Sequence, residues 1–129
     1  MIGAKTAANI LLAGLGALAI FHVLLLLGVV PADSVWGGRA GEQGPRLAVL
    51  EAAGLVLTVV FAGIVAAGAG YFGPRWTGRS VAVAMWIVFG YFSFNVLGNL
   101  VSTSVLERMV FTPVAVVMAL LSLRLAMSK

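Results

Sequence analysis

Very few side chains in this sequence could do chemistry. Its 129 residues include one histidine, four carboxylates and no cysteine. Glu51, His22, Asn95 and Asn99 stand inside otherwise apolar runs, and Arg39 lies in the connection between the first two. An ionised carboxylate inside hydrocarbon costs at least ~2.5 kcal/mol at a central position and persists only if paired, protonated or wet. An imidazole at comparable depth can pack as a neutral hydrogen-bonded ring, relay a proton or bind a metal. The absence of cysteine excludes disulfides, thiolate metal sites and cysteine nucleophiles. Bis-histidine haem ligation would need a second histidine, which only a symmetric dimer could supply. No H-E-x-x-H, phosphate-cradling glycine loop or G-x-S-x-G serine occurs. No catalytic residue, metal or cofactor is therefore expected, and an intramembrane enzyme or redox subunit is the least favoured reading.

The elements that must position these groups follow from composition. With 62% hydrophobic and 9% charged residues and a mean hydropathy of +1.13, the chain has more apolar surface than a water-soluble domain of this length can bury. A spanning helix takes roughly 20 apolar residues. Four stretches qualify: about Ala7 to Val30, Leu47 to Gly68, Ser80 to Val101 and Met109 to Leu125. They are continuously apolar, whereas barrel strands alternate in polarity. The expected fold is all-α, a single four-transmembrane-helix bundle over residues 1–129. The first stretch exceeds a signal h-region and lacks a small-x-small cleavage pattern after it, so it reads as a retained helix.

Charge sets the expected orientation. Lys5, Arg75, Arg79, Arg124 and Lys129 fall on the side of both termini with no acid among them. Arg39, Arg46 and Arg108 share the other side with Asp33, Glu42, Glu51 and Glu107. The positive-inside rule makes both termini cytoplasmic. The pI near 10.4 reflects this orientation, because the basic residues form no patch and nucleic acid is not an expected partner.

Packing signals are local. Gly54, Thr58, Ala62, Ala66 and Gly70 place a small residue at every fourth position of the second helix, a ridge for close helix approach. The neighbour is read as another helix of the same chain in preference to a second copy. Tyr91, Asn95, Asn99 and Ser102 form one stripe on the third helix, expected to face inward. Ser104-Val105-Leu106-Glu107 has capping-box spacing. If the fourth helix starts there, Pro113 falls inside it; if at Thr112, Pro113 takes the first position.

Counting 1.5 Å per residue from the far ends of the helices puts His22 about 13 Å deep, Asn95 about 10 Å, Glu51 about 6 Å, and Asn99 and Thr112 about 5 Å. Arg39, Glu51, Asn95, Asn99 and His22 are thus expected to form one polar cluster, with Glu51 paired to Arg39 or Arg108. In the first connection, Val35-Trp36-Gly37-Gly38-Arg39 reads as an interface anchor or a cap over the helix ends.

That segment, together with Glu51 early in the second helix, Asn95-Val96-Leu97-Gly98-Asn99 in the third, and Glu107 followed by Phe111-Thr112-Pro113, resembles an uncharacterised family of small bacterial four-helix integral membrane proteins with no established activity. The resemblance covers most of the chain. It implies four helices and a bacterial envelope location, and it carries no catalytic or binding role to any residue.

The sequence points first to a non-enzymatic accessory or structural component of the bacterial inner membrane, its partners the lipid bilayer and a larger membrane complex or further copies of itself. In that reading the polar cluster locks the bundle. The alternative is a small transporter or sensor taking protons or a small polar or anionic ligand at the same cluster, with the ligand itself unknown.

Overall fold

The computed structural model describes residues 2–35, 46–73 and 78–128. Helix α1 spans Ala4–Leu26, α2 Arg46–Gly68, α3 Gly78–Leu100 and α4 Thr112–Ala126; a π-helical turn, Glu107–Phe111, leads into α4, and a single 3-10 turn, Ala32–Ser34, follows α1. The described residues contain no strand. All four helices, taking the π turn with α4, are long and apolar enough to cross a membrane. The anchor-or-cap segment around Trp36, and Arg39 with it, lies outside the described residues.

Helix α1 stops earlier than hydropathy suggests. Gly28 takes a φ of 76°, its N–H reaches the Leu25 carbonyl, and the Val29 N–H reaches Leu24. This is a Schellman end, which needs a left-handed residue that glycine adopts without Cβ strain. Gly70 ends α2 the same way, with φ 83° and bonds from Gly70 to Ala67 and from Tyr71 to Ala66. Gly70 therefore closes a helix and does not extend the small-residue ridge: a Cβ there would meet nothing within 4 Å.

Two hairpins make the bundle. Helix α1 packs along α2, α3 along α4, and the α1–α4 contact joins them, while α2 and α3 touch only sparsely. In the half nearer the termini the core is apolar and close-packed, with Ala7, Leu11 and Leu15 of α1 against Val65, Met85, Val88, Met118 and Leu125. Gly14 lets α4 approach, since a Cβ there would lie 2.5 Å from the Met118 sulfur. The outward faces are equally apolar, as with Phe94 at 77% and Val101 at 83% exposure.

A polar clasp closes the terminal end of the first hairpin. Lys5 Nζ donates to the Ala69 carbonyl at 2.8 Å and sits 3.8 Å above the Tyr71 ring, whose hydroxyl reaches Asn9 Oδ1 at 2.5 Å. Sequence reading made Lys5 only a topology-setting charge. Here it also satisfies one of the carbonyls that a helix C-terminus leaves over.

At the opposite end the S-x-x-E signal is realised in altered form. Ser104 Oγ accepts the Glu107 N–H at 3.4 Å, the first half of a capping box. The reciprocal bond is replaced through Ser102, whose hydroxyl donates to Glu107 Oε2 and accepts the Ser104 N–H at 3.0 Å. Helical backbone thus begins just after Ser104 and runs through the π turn, while α4 itself starts at Thr112 with Pro113 in its first turn. Proline lacks an N–H and crowds the carbonyl four residues back. The π turn relieves this, with the Thr112 N–H and Thr112 Oγ1, at 3.1 Å, both directed to the Glu107 carbonyl. Ser104 Oγ also donates to the Ser34 carbonyl at 2.5 Å, tying the α1–α2 connection to α4. Ser104→Ala should therefore lower stability by about 0.5–2 kcal/mol, measured as a lower midpoint of thermal unfolding in detergent. An unchanged midpoint would show that the cap carries no weight.

Candidate functional site

The four helices diverge from the apolar core into a cleft of about 180 Å³ at the end away from the termini. His22 and Glu51 enter it from α1 and α2, Tyr91, Asn95 and Asn99 from α3, and Glu107 from the π turn. Apolar and aromatic side chains, including Phe21, Phe92 and Phe111, make up the rest of the wall.

His22 and Glu51 form the centre. The imidazole Nδ1 lies 2.7 Å from Glu51 Oε2, and Glu51 is only 3% exposed. A contact this short holds a proton between the two atoms.

Gly54 makes the contact possible. A Cβ at this position would lie 2.8 Å from His22 Cε1 and 3.3 Å from each ring nitrogen, so the imidazole lies directly on the α2 backbone. Gly54 follows Glu51 by three residues, which puts both on one helix face. The small-residue ridge thus meets another helix of the same chain, as expected, but its centre receives a functional ring. One turn further on, Thr58 is buried and donates to the Gly54 carbonyl at 2.7 Å.

The α3 stripe forms the opposite wall. Asn95 Nδ2 donates to the Tyr91 carbonyl at 2.9 Å, leaving its side-chain oxygen free to accept. The Asn99 carboxamide lines the cleft and makes no hydrogen bond to another described residue. Edge-to-face stacking holds the aromatic parts of the wall: Phe21 on Phe111 with centroids 4.8 Å apart, and Tyr91 on Phe61 at 5.1 Å.

His22, Glu51, Asn95 and Asn99 are therefore brought to one cleft, while Arg39 lies outside the described residues. The expected pairing of Glu51 with Arg108 is not found. Arg108 is exposed on the π turn, and Glu51 meets His22. Glu107, read in sequence only as a capping residue, is a second carboxylate of the cleft, because the wide turn swings it inward. Tyr91 and Gly54 appeared in sequence as members of a stripe and a ridge; their roles in the site depend on which helices those faces meet. No group of three or more His, Asp or Glu side chains able to hold a metal ion exists among the described residues.

No family model, curated protein or solved structure matches the chain. The functional reading rests on the cleft itself.

Proposed function

We propose that this chain is a multi-pass protein of a bacterial cytoplasmic membrane, with both termini in the cytoplasm, and that its cleft is a binding site for a small ligand near the outer face, with the His22–Glu51 pair able to take up a proton. The observation that carries the reading is the Asn99 carboxamide, which lines the same cleft as the His22–Glu51 pair and makes no hydrogen bond to another described residue. A polar cluster serving only to lock helices would satisfy its own donors and acceptors, since each left over in an apolar medium costs free energy. Apolar outward faces on all four helices support the lipid setting, and the distribution of basic residues supports the orientation.

The structural reading keeps one observation in its favour, the direct bond between α1 and α2 through His22 and Glu51. The two separate by access. The natural chain has no cysteine, so a single introduced thiol reports without background. Asn99→Cys should react with a small charged thiol reagent added to the outside of intact cells, whereas Ser128→Cys should react only after permeabilisation. A thiol at position 99 that stays sealed under every condition would leave the locking role; labelling of the position 128 thiol in intact cells would reverse the orientation.

A further inference from the structure

The cleft's chemistry narrows its ligand, an argument that rests on the cleft being a binding site. Its hydrogen-bonding groups come from both hairpins: His22 and Glu51 on α1 and α2, Asn95 and Asn99 on α3, and Glu107, already bonded to Ser102, on the π turn. Between the walls the lining is aromatic, with Phe21 and Phe111 on one side and Tyr91 and Phe92 on the other. Such a site suits a flat, largely apolar ring bearing an oxygen at each of two opposite edges. Carboxamide N–H groups and a protonated imidazole donate to ring carbonyls; the Asn95 oxygen and a neutral imidazole nitrogen accept from ring hydroxyls.

Size and access point the same way. About 180 Å³ is below the roughly 300–1,000 Å³ of pockets that engulf a drug-sized molecule, so the ring alone enters and any attached chain lies elsewhere. Helices α2 and α3 touch only sparsely, and the cleft-lining Gly54 of α2 and Asn95 and Asn99 of α3 are half-exposed. Outside this α2–α3 seam the surface is apolar, with Val56, Phe94 and Leu97 exposed. A hydrocarbon chain leaving by this seam would run into lipid.

We propose that the cleft binds the ring of a lipid-soluble quinone or its quinol, with one ring oxygen at His22 and the other at Asn99, and the isoprenoid chain passing between α2 and α3. With a proton on Nε2 the imidazole donates to a carbonyl of the quinone form, and with Nε2 bare it accepts from a hydroxyl of the quinol form, while the Nδ1–Glu51 contact holds the ring in place. Binding alone is proposed, with no electron transfer by this chain.

A single histidine makes the test specific. The full chain, labelled with nitrogen-15 in histidine and placed in nanodiscs, is titrated with ubiquinone-1 and, separately, menaquinone-1. The expected result is a saturable shift of the His22 ring nitrogens by at least one of the two, with Asn99→Leu and Asn95→Leu each raising the dissociation constant, Asn99→Leu by about five- to tenfold for one lost hydrogen bond. A linear, unsaturable shift of equal size in the wild type and Asn99→Leu would report bulk partition and overturn the proposal, as would unmoved resonances. If the resonances stay unmoved while a thiol at position 99 remains reactive from outside, the ring chemistry falls and the cleft as a binding site stands. If that thiol is sealed as well, both fall.

Discussion

His22→Leu should destabilise the protein by about 1–3 kcal/mol, the cost of taking one partner from a buried carboxylate, and a double-mutant cycle with Glu51→Leu should show a favourable coupling between the two positions. Leucine nearly matches imidazole in volume, so packing changes little. What changes is that the Glu51 carboxylate, 3% exposed, loses the imidazole 2.7 Å away. Hydrogen bonds between helices in lipid average only about 0.6 kcal/mol, because both partners find substitutes when the helices separate. That average describes ordinary polar pairs. A carboxylate is costlier to desolvate, so a coupling above the average is expected here. The measurement is a double-mutant cycle in detergent or bicelles, monitored by denaturant unfolding. A coupling near zero would show that the pair is held in place by the bundle without contributing to its stability.

Gly54→Ala is the second substitution with a large expected effect. One methyl group would have to enter a space whose nearest atom, His22 Cε1, is 2.8 Å from the ideal Cβ position. The obstacle is a rigid ring pinned by its bond to Glu51, so it cannot yield as the tip of a flexible chain would. Either α1 and α2 separate or the imidazole turns away from Glu51, and overpacking of this kind costs about 1–3 kcal/mol. Alanine is the better helix former by about 0.8–1.0 kcal/mol, so the net loss falls below that cost. Gly63→Ala, in the same helix and with nothing within 4 Å of its Cβ position, isolates the propensity term and should be neutral or slightly stabilising. The decisive readout is the His22 Nδ1 resonance. It should lose its hydrogen-bonded shift in Gly54→Ala and keep it in Gly63→Ala; an unmoved resonance in Gly54→Ala would mean that the ring has room the geometry does not show.

Both predictions bear on the proposed function. Substitutions that break the His22–Glu51 contact without unfolding the chain should weaken ligand binding at the cleft, because the imidazole would no longer be held facing Asn99. A pure lock would lose stability in the same variants and have no binding to lose.

The four helices were legible in sequence because each is an apolar run of spanning length, and the solvent that such runs require is a matter of composition. Their ends were legible only in part. Hydropathy carried α1 on to Val30, but Gly28 stops it by taking a left-handed φ, a conformational property that a hydropathy sum ignores. The depth of His22, Glu51, Asn95 and Asn99 was also readable, since rise per residue converts position directly into height along a helix. Azimuth was not. Which residue faces Glu51 depends on how α1 and α2 are rotated against each other, and that rotation is set by contacts distant in sequence, among them Gly14 against Met118 and Gly54 against His22. For the same reason Arg108 is exposed while its neighbour Glu107 lines the cleft from the π turn ahead of α4. Sequence by itself determined the helical class, the four helices long and apolar enough to span a membrane, and the end of the bundle to which His22, Glu51, Asn95 and Asn99 belong. Only the tertiary structure decided their partners, because pairing across helices depends on rotation and close approach, which no single segment encodes.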